Sequence, residues 1–233
     1  MKTAGLTDCQ AGWLLVSLDD GCDYKLVGED ELQEILESAD RVFTDIPLGL
    51  RDEEPERECD LLLKEKIGRE LAVGVVMPPP RLVLEAPSYV EANMMYYEST
   101  GKELPISTWH LTPRIRTLDL LIRKNTSVRE ILFQSHPELL LMRLNGQQIF
   151  QNRGIKKGLK HRLDLITGQV PEAGELYRTL KEEYRRNEIE ELDILDATTL
   201  AYGAARATEG EALTLPEEPL KDSQGVGMAI WYI

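Results

Sequence analysis

The chain has 233 residues, 42% hydrophobic and 29% charged, with 27 Lys+Arg against 41 Asp+Glu for a net charge of −14. That length and apolar content suit one large domain with its own core rather than a disordered chain, and the acidic balance excludes indiscriminate coating of DNA. Cys9, Cys22 and Cys59 show no CxxC or Cys/His spacing, which argues against a disulfide framework, and no apolar run approaches the ~20 residues of a membrane span, so a cytoplasmic protein without membrane contact is expected.

In chain order, short apolar strands are expected over 4–7, 12–18 and 24–27, the last after a Gly21 turn. A helix begins near Asp30, with Leu32, Ile35, Leu36 and Ala39 at helical spacing. A strand over 41–45 follows and is terminated by Pro47 and Gly49. This β-β-β-α-β order ending in an acid is the first half of a ribonuclease H type fold. Residues 55–72 read as a helix with Pro55 in its first turn, and Pro78-Pro79-Pro80 breaks the chain. Ser88 with Glu91 predicts a capping box for a helix through Tyr97, and Thr112-Pro113 is expected to start another, making 74–125 a helical insertion. Val128 to Phe133 draws two rules into conflict: Ser127 and Glu130 suggest a helix cap, whereas the apolar run suggests a buried strand, which is preferred. Helices are expected over 137–145, 155–166, 171–186 and 188–207, then a closing strand over 227–233 that could pair across a two-fold axis in a homodimer.

Carboxylates recur at the edges of these apolar segments. Asp45 leaves the expected sheet where Ile46-Pro47 turns the backbone, which suits a metal ligand as well as a turn-forming Asp. Glu138 follows His136-Pro137 and either favours a helix N-terminus or points into the same cleft. His136 reads as a capping or packing residue, with general base as the alternative. Asp193 and Asp196 share a helix face, and Asp196 lies between Leu195 and Ala197, where an unpaired carboxylate would be costly and a metal is one candidate partner. Residues 101–170 carry 12 Lys+Arg against 5 Asp+Glu. Lys156, Lys157, Lys160 and Arg162 form the densest basic run in that stretch, so DNA or RNA could still dock on one face, although a solvated helix face explains the run equally well. No P-loop, GxGxxG, HExxH or GxSxG is present.

Gly5 to Trp13, Asp45-Ile46-Pro47-Leu48-Gly49-Leu50, Pro80-Arg81, His136-Pro137-Glu138, Lys156-Lys157-Gly158 with Arg162, Asp193-Ile194-Leu195-Asp196-Ala197 and Asp222 to Tyr232 together resemble the DUF429 family, almost end to end. The resemblance implies a ribonuclease H-like mixed sheet flanked by helices, and a Mg²⁺- or Mn²⁺-dependent nuclease or phosphodiesterase. Asp45, Glu138 and Asp196 would be catalytic, Asp8 and Asp193 would join them as metal ligands, and Lys156, Lys157, Arg162 and Arg81 would bind substrate. One departure stands out. Thr7 occupies the position of the family's first-strand aspartate, and Asp8 follows one place later, on the opposite side of a regular strand. The alternative expectation is therefore a catalytically inactive member of the same fold that binds a nucleic acid, nucleotide or protein partner.

Overall fold

The computed structural model describes residues 1–53, 56–149 and 151–233. In chain order the first elements are β1 (Thr3–Cys9), β2 (Gly12–Leu18), β3 (Cys22–Val27), α1 (Leu32–Glu37), β4 (Arg41–Thr44), α2 (Glu58–Ile67), α3 (Arg69–Ala72), α4 (Tyr89–Thr100) and α5 (Ile106–Lys124). They are followed by α6 (Thr126–Ile131), β5 (Leu132–Gln134), α7 (Pro137–Asn145), α8 (Lys156–Thr167), α9 (Ala173–Glu183), α10 (Glu191–Arg206), β6 (Leu213–Leu215) and β7 (Ile230–Tyr232). The chain divides into two compact units: Met1–Asp45, Glu130–Leu213 and Trp231–Ile233 form one, and Ile46–Arg129 with Thr214–Ile230 the other.

The first unit is built on a five-stranded mixed sheet in the order β3-β2-β1-β4-β5, the ribonuclease H-like arrangement. β1 and β2 pair antiparallel, as do β2 and β3, while β1 runs parallel to β4 and β4 to β5. Central β1 is buried along almost its whole length, whereas edge strand β3 alternates between covered and exposed positions, as expected for strands covered on two faces and on one. Helix α10 crosses β1 at unusually close range. A Cβ at Gly5 would sit 2.0 Å from the Ala197 carbonyl oxygen and 2.4 Å from the Ala201 nitrogen. Only glycine in the strand and small residues on the helix permit that approach. Ala197 and Ala201 join Cys9, Leu14, Val16, Leu176, Leu180, Ile189 and Ile194 in a buried apolar cluster that fixes α10 and α9 to the sheet.

In the second unit, Val83, Ala86, Ala92, Tyr96 and Leu104 form a buried cluster, and Tyr89 meets Trp109 edge-on at 6.1 Å. Ser88 caps α4, accepting from the Glu91 amide (3.3 Å) while its hydroxyl donates to the Glu91 carboxylate (3.1 Å). The helix expected over 55–72 is interrupted at Gly68, whose φ of 82° ends α2 and begins α3; Pro55 lies outside the described residues.

Two local expectations are corrected. Thr112-Pro113 does not start a helix: Pro113 lies inside α5, which begins at Ile106. Proline cannot donate to the carbonyl four residues back, and here the Thr112 hydroxyl donates to that same Trp109 carbonyl at 2.7 Å. Because Thr112 is buried, Thr112→Val should leave the carbonyl unsatisfied and cost about 1–2 kcal/mol, read as a Tm lowered by about 2–4 °C per kcal/mol in a thermal melt. An unchanged Tm would show that the hydroxyl does not compensate for the proline. The strand expected over 128–133 is the second correction, since α6 runs to Ile131 and only Leu132–Gln134 are strand. Both signals act, the cap on the first half and the apolar run on the second. The closing strand is likewise shorter than expected, at three residues.

Among the described residues no helix is long and apolar enough to cross a membrane.

Candidate functional site

Parallel register assembles the site. Leu6 pairs with Thr44 and Thr44 with Gln134, so the next residues, Thr7, Asp45 and Ser135, stand side by side where β1, β4 and β5 end. The carboxyl ends of strands in an open α/β sheet are where such folds bind ligands. Three residues beyond Ser135, Glu138 lies in the first turn of α7, which Pro137 starts. Asp193 and Asp196 lie in the first two turns of α10, and the close packing at Gly5 holds that helix against β1.

Thr7 is buried, and its hydroxyl lies 3.0 and 3.1 Å from the two Asp45 carboxylate oxygens. Burial, followed by the charges of Asp196 and Asp8, pushes the Asp45 carboxyl up to about 8, against the opposing pull of Thr7 and Arg153. Asp193 is pushed up to about 7, again chiefly by burial, with Asp196 and Asp8 adding to the shift. Its Oδ2 accepts from the Glu190 amide at 2.8 Å, closing the N-terminus of α10. Asp196 is raised in the same direction by its burial. Oδ2 of Asp196 pairs with Arg153 Nη2, while its buried Oδ1 has no hydrogen-bond partner. Asp8 is partly buried, and its charge is felt at both Asp45 and Asp193.

Glu138 is only 1% exposed. Arg162, with no exposed surface, grips both of its oxygens: Nε donates at 2.7 Å and Nη2 at 2.8 Å, while Nη1 donates to the Gln151 and Gly158 carbonyls, each at 3.1 Å. Arg153 Nε stands 3.8 Å from Glu138 Oε1. His136 is pushed down to about 4, by burial first and then by Arg153, so its ring is neutral near pH 7.

The remaining expected substrate residues fall in different surroundings. Lys156 and Lys157 are exposed in the first turn of α8. Arg81 belongs to the second unit, where it is a clasp: its guanidinium contacts Asp52 (2.8 Å), Asp119 (3.2 Å), Ser223 (3.2 Å) and Asp222. Asp222 in turn accepts from the Leu50, Gln224 and Val226 amides. Sequence reasoning missed Arg153 and the pairing of Thr7 with Asp45. For Thr7 the signal was available, since the parallel register that aligns β1 with β4 makes it the neighbour of Asp45. Arg153 sits in an irregular stretch ahead of α8, where neither period nor motif marks it.

The donor set fits a hard divalent ion in one way. Such an ion is commonly held by one or two carboxylates and completed by water and substrate phosphate oxygens. Asp45 and Asp196 meet that requirement: both are crowded acids, and Asp196 presents a buried oxygen without a partner. Glu138 has both oxygens committed to Arg162. Among the described residues, no group of three or more His, Cys, Asp or Glu is arranged to hold a metal by itself.

Comparison with family models matches residues 5–221 to "Protein of unknown function (DUF429)". No curated protein and no solved structure matches the chain.

Proposed function

The chain belongs to the DUF429 family, and we propose that it is a Mg²⁺- or Mn²⁺-dependent phosphodiesterase acting on nucleic acid, with Asp45 and Asp196 holding one ion whose coordination is completed by the substrate phosphate. The observation that carries this reading is the unpartnered, buried Oδ1 of Asp196, close enough to a second carboxyl, Asp45, for its charge to push that carboxyl up. Burying unpaired acids is costly unless something positive joins them. When bound, the ion would polarise a phosphoryl oxygen and lower the pKa of a coordinated water. Asp8 and Asp193 deepen the negative field that attracts it. Glu138 is held by Arg162, and exposed Lys156 and Lys157 would meet the backbone of a polyanion.

Titration of Mn²⁺ into the wild type and into Asp45→Asn tests the reading calorimetrically. Binding by the wild type should weaken at least 10-fold in the variant, since a charged ligand is replaced by a neutral one; equal binding, or none by either protein, would remove the proposed ion. The same variant reports the proton. A carboxyl raised from 3.8 to about 8 keeps its proton in the folded state after the unfolded chain has released it. Its contribution to stability is therefore complete below about pH 3.8 and is lost as pH rises to about 8. Without metal, the Tm of the wild type relative to Asp45→Asn should fall by about 8–16 °C between pH 5 and pH 9, because the roughly three pH units between 5 and the raised value are worth about 4 kcal/mol. Parallel curves for the two proteins would show that Asp45 is ionised throughout.

Thr7 supports a second reading. A hydroxyl replaces the acid expected at that position, and its hydrogen bond to Asp45 belongs equally to a site that binds a partner without hydrolysing it. Phosphodiester cleavage by the wild type, abolished in Asp45→Asn, would exclude that second reading.

A further inference from the structure

The geometry points to Arg153 as an internal cation that keeps the Asp45–Asp196 site closed until a tetrahedral anion, the phosphate of a phosphodiester substrate, draws its guanidinium away. This rests on the reading above that the two carboxylates hold a divalent ion.

Three observations support it. Arg153 Nη2 pairs with Asp196 Oδ2, and Asp196, Glu138 and Asp45 all act on its charge. A divalent ion at Asp196 would sit against a like charge, so guanidinium and metal exclude each other there. The pairing is also incomplete: Arg153 Nε is buried with no hydrogen-bond partner, 3.8 Å from Glu138 Oε1, and Asp196 keeps one oxygen unpartnered. A guanidinium fork matches two oxygens of a phosphate better than this half-used arrangement. Finally, Arg153 is free to leave in a way that Arg162 is not. Its side chain is 31% exposed, against 0% for Arg162, and it stands outside any helix, in the stretch before α8. Arg162 anchors Glu138 alone, whereas Arg153 pairs with Asp196 and stands 3.8 Å from Glu138.

Anion and metal should therefore help each other bind, and by linkage each should raise the affinity of the other by the same factor. The probes are Mn²⁺ alone and Mn²⁺ with sulfate, an unreactive tetrahedral anion, at matched ionic strength. For the wild type, sulfate should tighten Mn²⁺ binding about 3–10-fold. Arg153→Gln should bind Mn²⁺ about 10-fold more tightly than wild type without sulfate, and should not respond to it. Arg153→Lys, which keeps the charge but loses the fork, should stay weak for Mn²⁺ and respond less to sulfate. Retained Tm and circular dichroism of each variant establish that it is folded, and Arg153→Lys carries the comparison if Arg153→Gln is not. If Mn²⁺ binds the wild type at Asp45 but neither Arg153 variant departs from it in affinity or sulfate response, the gating is wrong and the metal site stands. If no protein binds Mn²⁺, Arg153→Gln included, both fall.

Discussion

Arg162→Met should destabilise the protein by about 3–5 kcal/mol at pH 7, roughly a 10 °C loss in Tm, because it strands a carboxylate. Glu138 is almost wholly enclosed, and both of its oxygens receive their hydrogen bonds from Arg162. Arg153 at 3.8 Å is no substitute, since a guanidinium at that distance donates no hydrogen bond. Methionine fills the volume of the arginine stem, so the loss isolates charge and hydrogen bonding from packing. The double variant Glu138→Gln/Arg162→Met should regain more than half of the lost stability at pH 7, because replacing both buried charges is far less costly than removing one. Thermal melts of the three proteins at pH 7 decide it. A single variant within 1 kcal/mol of wild type would mean that water reaches Glu138.

The contrast between Arg162 and Arg153 shows what a linear sequence conveys. The fold was legible because its signals are local. The short apolar strands, the helix after Asp30 and the acid at the end of β4 each follow from period and punctuation within a dozen residues. Asp45 and Asp196 were legible as placements for the same reason, one at a strand end and the other within a buried helical run. Which charge each would meet was not. Arg162 belongs to the basic run of α8 and reads as a surface residue until the helix is docked; its position on the packed side, above the Gly158 carbonyl to which it donates, is a tertiary fact. Pro113 failed as a helix-start signal because its missing hydrogen bond is repaired by the neighbouring Thr112 hydroxyl, a compensation that no propensity scale carries. The apolar run after Ser127 was divided between helix and strand by its pairing with β4, whose partner residues lie 90 positions earlier in the chain.

Thr7→Asp should convert the site from proton-held to metal-held. Thr7 now donates its hydroxyl to Asp45, at 3.0 and 3.1 Å. An aspartate there would withdraw that donor and set a third carboxylate beside Asp45 and Asp196, on the face of β1 that Gly5 presents to α10. Two effects of opposite sign follow. Without metal, the added negative charge at this buried position should cost about 2 kcal/mol and lower Tm by about 4–8 °C at pH 8, with less loss at pH 5, where Asp45 holds its proton. With Mn²⁺ the third ligand should raise affinity about 10–100-fold over wild type, and saturating metal should lift the Tm of the variant above that of the wild type under the same conditions. Thr7→Asn is the control, because it matches aspartate in shape without its charge and should gain neither the metal affinity nor the pH dependence. An aspartate variant that loses stability yet binds Mn²⁺ no better than wild type would show that the end of β1 does not face the ion. If affinity rises while nucleic-acid cleavage appears only in the variant, the wild-type site is a binding site whose chemistry was set aside with a single hydroxyl.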